Sequence, residues 1–599
     1  MLSRRGFFVI ILLFGVVTTM FMTYNVSESI LLKEDEPAQQ SATASVTRSD
    51  TITAEQLRAA AAQPDGQPVA ALLVSSQNSS MAKLLQEWCV YNKYPFRIFT
   101  SLPDASSLQN FALVLVGDLF LDTQTVHALV ERTCTSCSLI FLVMPDPMQI
   151  ATNAELSNLL GIRSVITASC VVRSIHLFAD FFVGGERIYS SKDGAPAAIP
   201  HYALREGYEV YANGIPEEEM LYTDYPPLLW RTHTGQADVY VTNTDIFAGK
   251  SLLGLITAFV SQTQNYYLYP IVNARTVSVQ DFPCLSEENA SQLEQLYSRS
   301  SNALTRDLLW PAVEKIARTY GGKTVFLAAP QLDYSHPTGS ITDLVLYYRS
   351  QIVRMSGALG LSLKSLNRVP LQNILDSIEH FAAQNMEDCH FRICSVESGR
   401  LQELKQCSSS LLQNITLVLT DTDAGQPLLE FLDDDILVIG FTDDGFAHND
   451  LEMVSLVTAL GMVNQTTDMS HIYYPSSSDD LWANKSTIWS RNVTYAQNFS
   501  FLDTVSAAKL EEKSRALLAL QYTAAQSGNQ LQITVDSPAE ENDFFLRLYG
   551  QNVVSAQGAE VTKVSDTVWL VRTQAAEAVL ELADRYSAQP PVYGKKVNP

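Results

Sequence analysis

Short, continuous apolar runs alternate with segments of helical spacing along this chain, and that alternation limits the fold more than any other feature. In the first part the apolar runs cover 68–76, 111–117 and 138–144, with helical spacing at 81–91 between the first two. Strands that are apolar at every position are buried on both faces, as in parallel sheets covered by crossover helices. The pattern therefore predicts an α/β fold, with a doubly wound domain over 66–266.

The pattern changes at the end of this domain and again near the end of the chain. Residues 228–231 and 237–242 flank a Thr-Gly turn and predict an antiparallel hairpin. Beyond a helix predicted at 506–521, short apolar or alternating runs predict a small β-sandwich over 526–586. The last residues, 587–599, contain Pro and Lys, and we expect them to form a disordered tail.

The middle of the chain, 267–525, repeats a strand followed by a helix about six times, which is typical of a (β/α) barrel. Predicted strands include 271–279, 323–329 and 436–440, and a long helix is predicted at 341–357. An open parallel sheet is the alternative arrangement of the same elements.

Acidic residues lie just beyond the ends of several predicted barrel strands. They are Asp281, Asp333, Asp421, Asp423, Asp443 and Asp444. In parallel α/β folds this edge of the sheet is where sites are built. Asp is also a common turn former and helix N-cap, so we expect most of the six to be caps. Asp281 is the one that we expect to belong to a site, because it precedes Phe282-Pro283 in the strand that opens the barrel.

The N-terminal segment predicts a membrane anchor. Residues 6–22 are apolar apart from two threonines, two arginines precede them, and acidic residues follow closely. The positive-inside rule then leaves 1–5 in the cytoplasm. We predict a single transmembrane helix over 6–24, a polar tether over 25–65, and a protein of the cell membrane whose bulk is extracytoplasmic. A cleaved signal peptide is the alternative, but the apolar run ends in bulky Met20-Phe21-Met22.

Charge and cysteine content exclude some classes of function. The formal net charge is −24, and an acidic chain lacks the basic face that nucleic acid requires. A cationic partner such as a partly deacetylated amino-sugar polymer fits this charge. The simpler explanation is that an acidic surface keeps the protein soluble. Eight cysteines are too few for a disulfide scaffold. Cys134 and Cys137 form a C-x-x-C after a predicted helix, where we expect buried thiols or one local disulfide rather than a redox site.

The order of elements in 66–266 resembles the glutamine-amidotransferase-like α/β fold. Hydrolytic members of that fold place a nucleophilic Cys on a sharp turn between a strand and a helix. Here the corresponding strand ends in Val143-Met144-Pro145-Asp146-Pro147, without Cys or Ser. No glycine-rich phosphate loop follows any predicted strand either. We therefore expect this domain to be a non-catalytic binding or docking module.

The end of the first barrel strand, Gln280-Asp281-Phe282-Pro283, looks like the first motif of polysaccharide-deacetylase-like proteins. More narrowly, the whole arrangement is similar to an uncharacterised bacterial family with an anchor, an amidotransferase-like domain, a deacetylase-like barrel and a β-rich tail. That family occurs with Pel-like exopolysaccharide genes. The resemblance implies a cell-surface polysaccharide and exopolysaccharide synthesis proteins as partners.

The resemblance also implies roles for individual residues. Removing an acetyl group from a sugar needs a divalent metal such as zinc, together with a base and an acid. Asp281 would be a metal ligand, and His471 would be a second ligand or the acid. Gln280 stands where the base Asp is expected, and Gln accepts no proton at neutral pH. Tyr474 replaces the second histidine of the later motif, where three serines precede another catalytic candidate, Asp480.

These departures leave two interpretations. In the first, the barrel is a metal-dependent deacetylase or glycan hydrolase in which Asp281, His471 and a further residue, such as His336 or His448, converge on one ion. In the second, which the departures favour, the barrel is degenerate and binds a polymer or assembly partners without metal chemistry. The second interpretation predicts a cleft with aromatic residues such as Tyr473, Tyr474 and Trp482, although core packing is the default for Tyr and Trp.

Overall fold

The structure is a computed structural model that describes residues 69–102, 105–190, 197–321, 323–335, 342–385, 391–423, 425–433, 435–537 and 539–585. The predicted anchor at 6–24, the tether at 25–65, the tail at 587–599 and His336 lie outside the described residues. No helix in the described ranges is both long enough and apolar enough to cross a membrane. None of the cysteines in those ranges forms a disulfide; Cys137 is buried and Cys134 is exposed.

The first domain is a ten-stranded mixed sheet with helices packed on it. Its strands are β1 Ala70–Leu73, β2 Phe96–Phe99, β3 Leu113–Val116, β4 Cys137–Phe141, β5 Ile162–Leu177, β6 Arg187–Ser190, β7 Ala197–Leu204, β8 Glu209–Pro216, β9 Pro227–Thr234 and β10 Ala237–Thr242. Its helices are α1 Ser80–Tyr91, α2 Thr123–Arg132, α3 Pro147–Thr152, α4 Ala154–Leu159 and α5 Ser251–Ser261.

Both halves of this sheet agree with the sequence pattern. Strands β2, β1, β3, β4 and β10 are parallel neighbours in that order, which confirms the predicted α/β class. The predicted hairpin is also confirmed, because β9 and β10 pair antiparallel with Thr234 opposite Ala237. After α5 the chain forms β11, Tyr266–Ile271, and then enters the next domain.

The second domain is built around a sheet of mainly parallel strands. Its strands are β12 Ala274–Cys284, β13 Thr324–Ala329, β14 Ala358–Ser362, β15 Ile393–Val396, β16 Leu417–Thr420, β17 Leu429–Phe431, β18 Leu437–Gly440, β19 Asp443–Asp444 and β20 Met462–Asp468. Its helices are α6 Ala290–Tyr297, α7 Ser301–Leu304, α8 Trp310–Thr319, α9 Thr342–Arg354, α10 Leu371–Asn385, α11 Leu401–Gln406, α12 Asp450–Leu460, α13 Ser470–Tyr473, α14 Trp482–Ala496 and α15 Ala507–Ala519.

One continuous segment joins the two sides of this sheet. Strand β18 pairs in parallel with β16, and β19 follows it directly and pairs in parallel with β20, which lies beside β12. Between them the Thr442 amide donates to the Asn464 carbonyl at 2.9 Å, and Asn464 Nδ2 donates to the Gly440 carbonyl at 3.1 Å. The parallel strands therefore form a barrel-like sheet, and their carboxyl ends meet at one mouth.

The two faces of the barrel strands carry different residues, because successive side chains on a strand alternate between faces. Val277, Val279 and Phe326 share a buried cluster with Trp310, whose ring centroid is 5.7 Å from that of Phe326. This is the outward face, covered by helices. The opposite, inward face therefore carries Gln280, and it is more polar towards the carboxyl ends of the strands.

The C-terminal domain is a sandwich of two four-stranded sheets. Its later strands are β21 Gln521–Ser527, β22 Gln530–Asp536, β23 Asn542–Leu548, β24 Gln551–Gln557, β25 Ala559–Lys563, β26 Val568–Thr573 and β27 Glu577–Asp584. The eighth strand is β11, which pairs antiparallel with β23, with Tyr266 opposite Leu548. The strand predicted at 271–279 is confirmed over 274–279, which belong to β12, whereas Ile271 ends β11. The chain turns at Asn273, whose φ of 51° is left-handed, and leaves the sandwich for the barrel.

The first domain is fixed to the barrel by a helix pair. Every residue of α5 is buried, and Gly254 lies so close to α12 that a β-carbon there would collide with the Ser455 backbone oxygen. Nearby, the buried Lys250 ammonium donates to Glu87 Oε2 at 2.5 Å, and Glu87 Oε1 accepts from the Leu428 amide at 2.7 Å. These contacts pack the first domain directly against the barrel.

Gly254→Ala tests the close approach of the two helices. The added methyl group has no space against the Ser455 backbone, so we expect the free energy of unfolding to fall by about 1–3 kcal/mol. Urea unfolding of the full-length protein measures the change. Gly399→Ala is the matched control, because its β-carbon meets no atom within 4 Å. Equal stability of the two variants would contradict the close packing.

Candidate functional site at the barrel mouth

The site begins where β12 leaves its regular geometry. Gln280 still pairs with Leu327 of β13, but Asp281 adopts a left-handed φ of 55°, which Asp tolerates better than most residues. Phe282 follows and packs its ring against Trp310, with ring centroids 5.8 Å apart. This turn lets the consecutive side chains of Gln280 and Asp281 both reach the end of β14.

Asp281 is a buried carboxyl group with one hydroxyl donor. Ser362 Oγ at the end of β14 donates to Asp281 Oδ1 at 2.5 Å. Burial first, and then the charge of Asp468, raises the pKa of Asp281 from 3.8 to about 7, against the opposing effects of Lys364 and Ser362. The carboxyl group is therefore divided between its neutral and ionised forms near neutral pH.

Lys364 and Asp468 form an ion pair beside this carboxyl group. Lys364 Nζ donates to Asp468 Oδ2 at 2.8 Å and to Gln280 Oε1 at 3.4 Å. Asp468 Oδ1 accepts from the amide and hydroxyl of Ser470, at 2.9 Å and 2.6 Å. Burial works against the charge of Asp468, but the Lys364 ammonium and these hydrogen bonds hold the pKa of Asp468 below its usual range. The pair is thus ionised at neutral pH.

Sequence reasoning missed Lys364, Asp468 and Ser362. Strand β14 was not predicted, because glycine weakens a strand pattern and this segment carries Gly357 and Gly360. The same strand-end position that made the aspartates candidates could have found Lys364. This lysine also lies just beyond the carboxyl end of a barrel strand, β14.

His471, predicted as a metal ligand or the acid, lies at the mouth but not against Asp281. It is exposed on α13, where it is the smallest of the favourable influences on the ionised forms of Asp468 and Asp480, and burial still leaves the pKa of nearby Asp444 raised. In the described ranges no hydrogen bond or ion pair joins His471 to Asp281. The structure therefore places His471 on the rim of the site.

Asp480 is held by the serines that precede it. Asp480 Oδ2 accepts from the amide and hydroxyl of Ser476, at 3.0 Å and 2.7 Å, and Lys485 Nζ lies 3.6 Å from Oδ1. Burial raises the pKa of Asp480, but these neighbours outweigh it and the net shift is downward. This carboxylate closes a loop at the rim, a structural role that the prediction of catalysis did not anticipate.

Tyr474 stands where the resemblance implies a histidine, and it has a structural role. Its hydroxyl donates to Glu288 Oε2 at 2.8 Å, and the same buried carboxylate accepts from the amides of Leu332 and Asp333 at 2.9 Å and 3.0 Å. Sequence reasoning missed Glu288, which no strand-end rule would find because it lies in the loop after β12.

Two of the three aromatic residues expected to line a cleft belong to the core. Tyr473 is buried, and its hydroxyl lies 2.7 Å from that of Thr305. Trp482 is buried against Trp489, with ring centroids 6.3 Å apart. Only Tyr474 is half-buried near the mouth, so Tyr473 and Trp482 follow the default of core packing and do not line a cleft.

The other strand-end aspartates behave largely as the expected turn formers and caps. Asp421 Oδ1 accepts from the Ser398 amide at 2.8 Å, and Asp333 Oδ1 accepts from the Ser335 amide at 2.9 Å. Asp443 differs, because it is buried and hydrogen-bonded to Gln465, and burial raises its pKa to about 7.

The divalent ion implied by the resemblance does not fit the residues at this mouth. The Lys364 ammonium already fills the space between Asp468 Oδ2 and Gln280 Oε1 in which an ion bound to those oxygens would lie. Across the described ranges, no three His, Cys, Asp or Glu side chains come together as metal binding requires. The expected zinc site of Asp281 and His471 is therefore not supported by the geometry.

The turn after β4 of the first domain consists of Val143-Met144-Pro145-Asp146-Pro147. Asp146 there accepts from the Met148 amide at 2.7 Å and caps α3. A cavity of about 400 Å³ lies beside this turn and is lined mainly by apolar residues, among them Met144, Ile199 and Phe247.

The raised pKa of Asp281 predicts a particular dependence of stability on pH. An unfolded Asp loses its proton near 3.8, whereas folded Asp281 keeps its proton up to about 7, so the folded state binds the extra proton between these values. Stability contributed by this group is therefore lost as the pH rises through that window. Unfolding free energies at about pH 5 and about pH 8 measure the loss.

Asp281→Asn should remove roughly 1–3 kcal/mol of that loss, because one pKa unit corresponds to about 1.4 kcal/mol. Asp443→Asn is the matched comparison, since burial raises the pKa of Asp443 to the same range. An Asp281→Asn variant with the pH profile of the parent protein would show that Asp281 does not titrate in this window.

Comparisons with known proteins give weak similarities. No curated protein matches the chain. A crystal structure described as Agd3, a novel carbohydrate deacetylase, is similar over 86% of this chain and 99% of its own, with 10% identity and a TM-score of 0.48. The exo-β-1,4-mannosidase Op5Man5 from Opitutaceae bacterium strain TAV5 is similar over 33% of this chain and 34% of its own, with 13% identity and a TM-score of 0.23. A β-galactosidase from Bacillus circulans sp. alkalophilus is similar over 30% of this chain and 28% of its own, with 11% identity and a TM-score of 0.21.

One family profile matches part of the chain. It is the family described as an uncharacterised protein conserved in bacteria, DUF2194, and the matched residues are 108–361. The match begins before β3 in the first domain and ends within β14 of the barrel, which is less than half of the chain. It agrees with the expected resemblance to an uncharacterised bacterial family.

Proposed function

We propose that this protein recognises a carbohydrate at the barrel mouth and that the barrel is a degenerate relative of metal-dependent deacetylases. The observation that carries the proposal is the group formed by Gln280, Asp281, Lys364 and Asp468 at the carboxyl ends of three barrel strands. Sugars present many hydroxyl groups, and a site for them needs closely spaced donors and acceptors on rigid elements.

The chemistry of this group favours a neutral or cationic sugar over an anionic one. Asp468 and Lys364 neutralise each other, while Asp281 carries part of a negative charge near neutral pH. At the rim, Asp444 and Asp480 face the exposed His471. Four carboxyl groups, those of Asp281, Asp444, Asp468 and Asp480, stand against the two ammonium groups of Lys364 and Lys485, so an amino-sugar polymer meets less repulsion there than a polyuronate.

The loss of the expected catalytic residues supports binding rather than deacetylation. Gln280 stands where a base is required and accepts a hydrogen bond from Lys364. Tyr474 stands where a histidine is required and donates to Glu288. A metal-dependent deacetylase with an atypical ligand set remains the alternative, and the release of acetate distinguishes it.

The cellular setting belongs to the same proposal. The apolar run at 6–22 supports a single-pass anchor over 6–24 in the cell membrane, with the barrel outside the cytoplasm. A cell-surface polysaccharide is then the ligand, and exopolysaccharide synthesis proteins are the partners. The first domain would serve as a docking module, since the turn after β4 lacks a nucleophile.

Binding of short glucosamine and N-acetylglucosamine oligomers to the full-length protein tests the proposal. Isothermal titration calorimetry should detect binding that persists in the presence of a chelator. Asp281→Asn should weaken it about tenfold, because a hydrogen bond to a charged group contributes about 1.5–3 kcal/mol. Asp443→Asn, which changes a buried aspartate away from Gln280 and Lys364, should leave the affinity unchanged.

Two results would contradict the proposal. If neither oligomer binds, a carbohydrate ligand of this type is excluded. If the protein releases acetate and a chelator abolishes that release, the protein is a metal-dependent deacetylase instead.

A further inference from the structure

The oxygen atoms around Lys364 are of the type that hard divalent cations prefer as ligands. They are the Asp468 carboxylate, the Gln280 amide oxygen and, next to them, the Asp281 carboxyl group. Carboxylate and carbonyl oxygens are the ligands that Mg²⁺ and Mn²⁺ prefer. In this protein the positive charge among them comes from a side chain.

The position of Lys364 makes its ammonium a substitute for such an ion. Its Nζ is 2.8 Å from Asp468 Oδ2 and 3.4 Å from Gln280 Oε1, so it contacts two of the oxygens at once. Burial opposes its charge, but Asp468 and Asp281 outweigh that effect and keep the pKa of Lys364 above its usual range. The ammonium is therefore permanently charged at neutral pH.

A partly buried pair of carboxyl groups needs such a charge. Two carboxylates in a medium of low dielectric repel each other, and one of them is driven towards its neutral form. Lys364 stabilises the ionised form of Asp468, while burial and the charge of Asp468 favour the neutral form of Asp281 against the opposing effect of Lys364. Lysine suits this position, because its ammonium is a compact charge on a flexible stem, whereas a guanidinium is planar and wide.

We propose that the Lys364 ammonium is a built-in cation of the barrel mouth, which occupies the place of a divalent ion and thereby excludes metals from the site. Recognition of a ligand there then needs no metal, and this consequence rests on the function proposed above. The exclusion of metals does not depend on that function, since it follows from the contacts of Lys364 alone.

Metal titration of the full-length protein and its Lys364 variants tests the inference without any sugar. Mn²⁺ is the probe, and its bound fraction is measured by electron paramagnetic resonance. Lys364→Ala frees Asp468, Gln280 and Asp281, so this variant should bind one Mn²⁺ per chain at least tenfold more tightly than the parent protein. Lys364→Met keeps the length of the side chain and removes only its charge, and it serves if the shorter variant does not fold.

Two controls assign the bound ion to this mouth. The double variant Lys364→Ala with Asp468→Asn should lose the gained Mn²⁺ binding, because one of the oxygens is then an amide without charge. Lys509→Ala removes a surface lysine that is 2.7 Å from Glu512, and it should bind no more Mn²⁺ than the parent protein.

Either of two outcomes would overturn the inference. In the first, the parent protein binds one Mn²⁺ or Zn²⁺ per chain and loses it on Asp281→Ala, which would show that Lys364 does not exclude metals. In the second, the folded variants Lys364→Ala and Lys364→Met bind Mn²⁺ no more tightly than the parent protein. A failure to bind sugar oligomers would count against the proposed function and leave this result unaffected.

Discussion

The parallel register of β12 with β20 is the constraint on which the barrel mouth depends. It places Gln280 opposite Asp468, so that two polar side chains meet at the end of two buried strands. Strand β14 lies two positions away in the same sheet and brings Ser362 and Lys364 to the same edge. A shift of one residue in any of these strands would turn its polar end to the outward face, under the helices. The apolar outward face, with Val277 and Val279 in the core, fixes the register and so fixes the site.

The barrel is packed against both neighbouring domains at a distance from this edge. The first domain meets the barrel through α5 and α12, with no space for a side chain at Gly254. The sandwich shares β11 with the segment that enters the barrel, and the chain turns from one to the other at Asn273. Asn273 Nδ2 donates to Asp503 Oδ2 at 3.2 Å, and Asp503 also contacts Lys513 at 3.0 Å.

The sequence predicts the fold class and the strand edge that carries the site, because both follow from local patterns. Apolar runs predicted the parallel strands, and the strand-end position of Asp281 singled it out before any contact was known. The partners of Asp281 were not predictable, since Lys364 and Asp468 are 83 and 187 residues further along and meet it only through the register of the sheet. Tyr474 shows the same limit: the sequence shows that a histidine is missing, but not that Glu288 holds the tyrosine.

At the barrel mouth Lys364, and no metal ion, lies among the oxygens of Gln280, Asp281 and Asp468. A crystal structure of the protein grown with Mn²⁺, with an anomalous difference map at the barrel mouth, tests this arrangement. We expect no anomalous peak there, and a Lys364 ammonium within hydrogen-bonding distance of Asp468. An anomalous peak within bonding distance of Asp281 and Asp468, with the lysine displaced, would contradict the arrangement.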